Sequence, residues 1–332
     1  VGHTGAETPN SWTKPRIYAI PASDLKTTGN VLAIRVYDGS GGGGMTGPLE
    51  AIRLRMGDKI VPLATGDWRF KAEHIVTGAA PEAPFGPGHP WVPGGLWNGM
   101  MAPLAPYGIR GAIWYQGESN ADRAYQYRKL FPAMIKDWRE VWGQGDFPFL
   151  FVQLANFMGT PAQPTESQWA ELREAQAMTL RLARTGMATA IDIGEANDIH
   201  PRNKREVGRR LALTALRDVY GKKVVANGPR FTSFARKNGA LILRYVDALG
   251  LKTSDGKAPR SFQVAGADRK WHWADAKIDG STVVLTSAQV PAPVAARYAW
   301  SDNPSINLTN ADGLPAEPFR TDDWPGLTVD KK

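Results

Sequence analysis

Residues 111–157, GAIWYQGESNADRAYQYRKLFPAMIKDWREVWGQGDFPFLFVQLANF, decide the fold class of this chain. A short apolar run at 111–115 leads into a segment whose apolar residues recur three and four positions apart, as on an amphipathic helix. A second apolar run, Phe149–Val152, follows that helix and ends near Gln153 and Asn156. This order of strand, helix and strand predicts a parallel sheet covered by helices.

The same alternation continues toward the C terminus. The pattern predicts a second helix over 172–182, a third strand over 188–193 and a third helix over 207–215 that stops near Gly221. We therefore expect residues 75–221 to form a flavodoxin-like, three-layer α/β segment.

The regions on either side of this segment have the short runs that are typical of β-structure. At 31–36, Val31, Ala33 and Arg35 alternate with Leu32, Ile34 and Val36. The apolar residues at 52–56 recur with period two. Three further apolar runs follow residue 222, at 241–243, 283–285 and 294–298. We expect sandwich-like β-structure over 1–74 and a β-rich region over 222–332.

Composition excludes several classes of function. The net charge is +8, but the Lys and Arg residues are interleaved with acids along the chain and no nucleic-acid-binding signature occurs. We therefore expect no nucleic-acid partner. The chain has no cysteine, which excludes disulfides, thiolate metal sites and cysteine nucleophiles. No run approaches the roughly 20 apolar residues that span a bilayer, so we expect no membrane span.

Polar residues follow the first predicted strand of the parallel sheet, where ligands bind in such folds. They are Gln116, Gly117, Glu118, Ser119 and Asn120. A glycine amide and an Asn or Gln side-chain amide can together donate to a developing oxyanion. The same residues also fit a polar turn in which Asn120 caps the next helix. The spacing alone leaves both interpretations open.

A second polar segment, residues 195–201, follows the third predicted strand and contains His200. Asp198 and Asp192 are close to it in sequence. A carboxylate bound to one ring nitrogen would leave the other nitrogen free as a base. The alternative is a structural histidine near a helix start. No cluster has the spacing of a metal site, and we expect neither a metal nor a cofactor.

Four segments carry a resemblance to a known family. They are residues 111–157, LWNGMMAPL at 96–104, DIHPRNK at 198–204 and YAWSDNPSINLTNADGLPAEPFRTDDW at 298–324. Together they resemble the sialate O-acetylesterases, which are SGNH-type hydrolases, and the related plant-polysaccharide acetylesterases. The resemblance covers essentially the whole chain, and its QGESN and DIHP blocks are quite specific.

The resemblance implies acyl transfer to and from a serine, without a cofactor. His200 would be the base and then the acid. Gly117 and Asn120 would belong to the oxyanion block, with Gln116 and Glu118 beside them. The substrate would be an O-acetylated sugar or polysaccharide, and the location would be periplasmic or secreted.

Two departures from the family pattern bear on the catalytic groups. The wider pattern has an aspartate three residues before the histidine, where this chain has Asn197. We favour Asp198 as the orienting acid, with Asp192 second. The family's Gly-Gln-Ser-Asn nucleophile block is also not found, and Ser119 lies where the family has its oxyanion block. Ser119 as the nucleophile is therefore the less favoured reading.

The simplest expectation is that a serine-bearing N-terminal segment is missing from this chain. Residues 1–74 would then be the C-terminal part of an inserted β-sandwich, and the chain alone would be inactive. One alternative is a non-catalytic carbohydrate-binding β-sandwich protein that uses Trp12, Trp271 and Trp273. A serine peptidase or lipase is the other, although none of their motifs occurs.

Overall fold

The computed structural model describes residues 1–4, 14–36, 48–64, 68–69, 71, 92 and 94–331. The chain divides into two compact units, Val1–Ala83 and Pro84–Lys332. In the first unit, β1 (Arg53–Met56) pairs with β2 (Lys59–Pro62) as an antiparallel hairpin. Short 3₁₀ turns occupy Ala22–Asp24 and Leu49–Ala51.

The strand expected at residues 31–36 is not formed. Within the described residues no strand is assigned at these positions, and all six are exposed. Alternation alone does not make a strand, because the backbone N–H and C=O groups also need a partner strand. The period-two pattern at 52–56 does correspond to β1, in which Leu54 faces Val61 of β2.

The second unit begins with α/β structure, and this confirms the predicted fold class. The parallel sheet has the strand order β3–β4–β5. Its elements are β3 (Ala112–Trp114), α1 (Ala124–Trp142), β4 (Phe149–Gln153), α2 (Gln168–Met178), β5 (Thr185–Thr189) and α3 (Lys204–Asp218). Shorter helical turns lie at Trp97–Met101, which is a π-helix, and at Ala102–Leu104, Glu118–Arg123 and Thr179–Arg181.

Helices cover both faces of this sheet. Phe131 of α1 and Leu172 of α2 pack on Phe149 and Phe151 of β4 in one buried cluster. Apolar side chains of α3 pack in a second buried cluster with β4 and with the segment that follows β5. Within the described ranges, no helix has the length and apolarity needed to cross a membrane.

Two boundaries differ from the sequence prediction. The third strand was expected at 188–193, but β5 ends at Thr189. The chain turns there, because the N–H of Ile193 donates to the carbonyl of Ala190. Helix α2 begins earlier than expected, since Ser167 accepts the N–H of Ala170 at 2.9 Å and caps it.

The rest of the second unit is the expected β-rich region. Its two four-stranded antiparallel sheets have the orders β10–β9–β13–β15 and β11–β12–β7–β6, and β8 pairs with β14. The strands are β6 (Arg230–Lys237), β7 (Ala240–Val246), β8 (Lys252–Thr253), β9 (Phe262–Ala265), β10 (Trp271–Trp273), β11 (Asp275–Asp279), β12 (Thr282–Thr286), β13 (Ala295–Tyr298), β14 (Leu308–Thr309) and β15 (Phe319–Arg320). Both sheets contribute to one core, in which Leu243 and Leu285 meet Val264 and Tyr298.

A buried ionic network joins this β-rich region to the approach of α2. Arg297 of β13 is 1 % exposed and donates to both carboxylate oxygens of Asp322, at 2.9 and 2.8 Å. Its third contact is Glu166, at 2.8 Å, just before the Ser167 cap. Because Glu166 is thereby held, the start of α2 has a fixed place against the β-rich region.

Glu317 gives the fold a pH-dependent stability. Burial raises the pKa of this carboxyl from its ordinary 4.5 to about 7. The folded state therefore holds a proton that the unfolded state has released, and stability falls as the pH rises from about 4.5 to 7. We expect Glu317→Gln to remove a cost of at most about 3 kcal/mol at pH 8.

In thermal melts, the Tm of Glu317→Gln should therefore be clearly higher than the wild-type Tm at pH 8 and only slightly higher at pH 5. Glu140→Gln, at an exposed position of α1, is the matched control. An equal change in Tm at both pH values for Glu317→Gln would contradict this account.

Candidate active site

The two polar segments predicted from the sequence lie at the same edge of the parallel sheet. Tyr115 follows β3, and the Nζ atom of Lys204, at the start of α3, lies 4.9 Å from the centroid of its ring. Ile199, next to His200, packs against the cluster that contains Ala121. The carboxyl ends of β3 and β5 therefore bring the two segments into one region.

Gly117 is held in a conformation that requires glycine. Its φ of 153° and ψ of −20° are unfavourable for other residues. A Cβ atom there would lie 3.0 Å from Gln176 Nε2 and 3.2 Å from Leu172 Cδ2. Gly117 is buried, and its N–H makes no hydrogen bond to any described residue, so this backbone donor has no partner in the described part of the chain.

Asn120 lies in the 3₁₀ turn Glu118–Arg123, and its N–H donates to the carbonyl of Gly117 at 2.8 Å. Helix α1 starts only at Ala124, so the interpretation of Asn120 as its cap is wrong. The side-chain Oδ1 of Asn120 accepts from Gln116 Nε2 at 2.8 Å. Its Nδ2 has no partner among the described residues and remains free as a second donor.

Gln176, a buried residue of α2, holds the backbone under this turn. Its Oε1 accepts the N–H of Leu154 at 2.9 Å, and its Nε2 donates to the carbonyl of Gln116 at 3.2 Å. Sequence reasoning missed this residue, because a polar residue on a helix gives no sign of whether it faces solvent or a neighbouring strand.

Glu118 and Ser119 lie on the open side of the turn. Both line a cleft of about 500 Å³, with Phe157, Met158 and Trp169 on its other walls. Ser119 is exposed, and no serine among the described residues forms a hydrogen bond with His200.

His200 and Asp198 are neighbours in space. Asp198 Oδ1 accepts the backbone N–H of His200 at 2.8 Å and lies 3.7 Å from its Nδ1 atom. The imidazole side chain is 86 % exposed, so the ring is accessible to a ligand. The 3.7 Å separation is longer than a hydrogen bond.

Asp192 has a different partner. Its two carboxylate oxygens accept from Arg210 of α3 at 2.5 and 2.7 Å. Arg210 is 4 % exposed and also donates to Glu206 and to the carbonyl of Thr189. The structure therefore brings Asp198, and not Asp192, beside the histidine.

The histidine loop is tied to the loop after β4 by Asn156. Its Oδ1 accepts the N–H of Gly194 at 2.6 Å, and its Nδ2 donates to Asn303 at 2.7 Å. A Cβ atom at Gly194 would lie 1.9 Å from the carbonyl of Asn156, so only glycine allows this approach. The N–H of Met158 adds a contact to the carbonyl of Ala196 at 3.0 Å.

The tryptophans suggested for a binding module are used inside the fold. The guanidinium of Arg297 lies 4.1 Å from the centroid of the Trp271 ring, and the Trp324 ring contacts Trp271 in a tilted arrangement with 5.3 Å between centroids. Trp273 Nε1 donates to the carbonyl of Ala162 at 3.0 Å. Trp12 lies outside the described residues. In the described part of the chain, no group of three or more His, Asp or Glu residues is arranged to hold a metal.

Comparisons with known proteins identify related chains. Residues 93–217 match the model of a family described as carbohydrate esterase, sialic acid-specific acetylesterase. The chain is 34 % identical to the mouse sialate O-acetylesterase over 258 residues, which are 68 % of this chain and 46 % of that protein. It is 32 % identical to the human sialate O-acetylesterase over 266 residues, which are 70 % of this chain and 50 % of that protein.

A solved structure is also similar. The crystal structure of a carbohydrate acetylesterase from Xanthomonas citri matches with a TM-score of 0.66 and 48 % identity, over 69 % of this chain and 54 % of that one. This chain spans about half the length of the mouse and human relatives.

A parallel sheet with these two segments at its carboxyl edge, together with these matches, gives the chain an SGNH-type α/β fold. Within that class, the chain belongs to the family of the sialate O-acetylesterases and carbohydrate acetylesterases.

The two aspartates should respond differently to substitution. We expect Asp198→Asn to lower kcat for acetate release by about 10²-fold or more, because the histidine loses its orienting carboxylate, with little change in Tm. Asp192→Asn should leave kcat within a fewfold and destabilise the fold by about 2 kcal/mol, because buried Arg210 loses a charged partner. Kinetics beside thermal melts measure both. A larger loss of kcat in Asp192→Asn would reverse the assignment.

Proposed function

We propose that this protein removes acetyl groups from O-acetylated sugars by acyl transfer between a serine and water. The observation that carries the proposal is the placement of His200 with Asp198 at the same sheet edge as the free donors of Gly117 and Asn120. A base and an oxyanion site on one edge are the two elements that ester hydrolysis by a serine requires.

Each residue then has a defined task. The serine hydroxyl attacks the acetyl carbonyl and gives its proton to Nε2 of His200, while Asp198 holds the opposite ring nitrogen. The Gly117 N–H and Asn120 Nδ2 stabilise the negative charge that develops on the carbonyl oxygen. The sugar leaves with the proton from His200, and the same steps with water release acetate and restore the serine.

We further propose that the nucleophilic serine lies outside residues 1–332. The Gly-Gln-Ser-Asn block is not found in this sequence. Among the described residues, β3 pairs only with β4, and its Ile113 is 72 % exposed. Parallel strands are normally covered on both faces, so an exposed isoleucine beside an unpaired edge favours an additional segment at β3. That segment would bring its serine to the same carboxyl edge.

The cleft beside the oxyanion turn favours a neutral sugar over a sialic acid. Four carboxylates line it, those of Glu118, Asp122, Glu166 and Asp302. None of the described residues that line it has a basic side chain. Carboxylates accept hydrogen bonds from sugar hydroxyls, whereas they repel the carboxylate of a sialic acid. The similarity to the sialate O-acetylesterases further supports our proposal of a periplasmic or secreted location.

His200→Ala should abolish this activity. We expect kcat for acetate release from an O-acetylated neutral oligosaccharide to fall on the order of 10⁴-fold, as for a triad base, with an unchanged Tm. His272→Ala is the matched control, since His272 contacts Gln289 in the β-rich region. Activity of His200→Ala within about tenfold of the parent would contradict the assignment.

The 332-residue chain alone should release no acetate, because base and oxyanion donors without a nucleophile retain little of the activity. The assay compares the purified chain and Ser119→Ala on the same acetylated substrate. Turnover by the chain that Ser119→Ala abolishes would make Ser119 the nucleophile and overturn the proposal of an outside serine.

A further inference from the structure

Three side chains connect the interior of α1 to the oxyanion turn. The hydroxyl of Tyr127 donates to Gln116 Oε1 at 3.1 Å, and Gln116 Nε2 donates to Asn120 Oδ1 at 2.8 Å. Tyr127 is 4 % exposed. In the sequence it is one of the regularly spaced apolar positions of the helix, and nothing there distinguishes it from a core residue.

The direction of these hydrogen bonds decides what Asn120 presents to a ligand. A primary amide has one accepting end and one donating end. When Tyr127 donates to the oxygen of Gln116, the nitrogen of Gln116 must face Asn120. Asn120 then uses its oxygen for Gln116 and turns its nitrogen outward. The reverse orientation of both amides would present an oxygen, which cannot donate to an oxyanion.

Tyr127 is suited to hold this direction. Burial, with a smaller contribution from the charge of Glu118, raises its pKa to about 12, so the hydroxyl keeps its proton at neutral pH. Its ring packs on Phe131 at 5.2 Å between centroids, inside the cluster that joins α1 to the sheet. Tyr127, the donor at the start of this series of hydrogen bonds, is therefore anchored in the rigid core.

We propose that Tyr127 is a positioning residue for acyl transfer: through Gln116 it fixes the Asn120 amide with its nitrogen toward the reacting oxygen. This inference rests on the proposed function, because it assigns Asn120 Nδ2 to the oxyanion. Tyr127 itself does not contact the substrate.

The first experiment measures kinetics in the complete, acetate-releasing protein. We expect Tyr127→Phe to lower kcat about tenfold or more with KM within about twofold, because the donor acts on the transition state. Adding Tyr127→Phe to Asn120→Ala should lower kcat no further, since both changes act through one amide. Tyr125→Phe, at an exposed position of the same helix, is the matched control.

The second experiment needs no activity and uses the 332-residue chain. The side-chain ¹⁵N–¹H₂ signals of Asn120 should shift in Tyr127→Phe and stay in place in Tyr125→Phe. Unchanged signals in Tyr127→Phe, or kcat equal to that of the parent, would overturn the role of Tyr127. Failure of the parent protein to release acetate would instead overturn the proposed function, and the Asn120 signals would still report the hydrogen-bond chain.

Discussion

A buried guanidinium fixes the geometry on which the site depends. Arg173 of α2 is fully buried and donates to the carbonyls of Leu154 and Ala155, each at 2.9 Å, and of Ser301 and Asp302, at 2.7 and 2.8 Å. Burial lowers its pKa to about 9, which still leaves it charged at neutral pH. Removing such a cation from water costs several kcal/mol, and the four carbonyl contacts offset that cost. Arg173 therefore holds the end of β4 and the turn at 301–302 in a fixed position relative to each other.

The positions of the loops that carry the proposed catalytic residues depend on this arrangement. Asn156 follows Ala155, Asn303 follows Asp302, and the two asparagines bind each other. Asn156 also holds the histidine loop through the N–H of Gly194. Asp302 also accepts, at 2.6 Å, from the hydroxyl of Ser167, the residue that caps α2. The β-rich region is thus part of the frame of the site, although its strands supply no proposed catalytic group.

The sequence predicted the elements whose signals are local. The apolar run, the helix period and the second apolar run at 111–157 correspond to β3, α1 and β4, and the contact of Asp198 with His200 joins residues two positions apart. A pattern of polarity could not show that the described residues 31–36 form no strand. For the same reason it placed the third strand several residues too late.

The remaining parts of the site could not be predicted, because their partners are distant in sequence. Asn156 and Asn303 are 147 positions apart, and Asp192 and Arg210 are 18 apart. Tyr127 and Gln176 lie in helices, where the spacing of residues in the sequence is the same whether a side chain forms a specific hydrogen bond or is an ordinary core or surface residue. Only the packing of α1 and α2 on the sheet reveals that both support the turn at Gln116 and Gly117.

The placement of the base and the oxyanion donors at one sheet edge can be checked with a crystal structure of the complete protein after reaction with a fluorophosphonate, which mimics the tetrahedral intermediate on a serine. We expect a phosphonyl oxygen about 2.7–3.1 Å from both the Gly117 nitrogen and Asn120 Nδ2, with His200 in reach of the modified serine. A phosphonyl oxygen bound away from Gly117 and Asn120, or a modified serine far from His200, would contradict it.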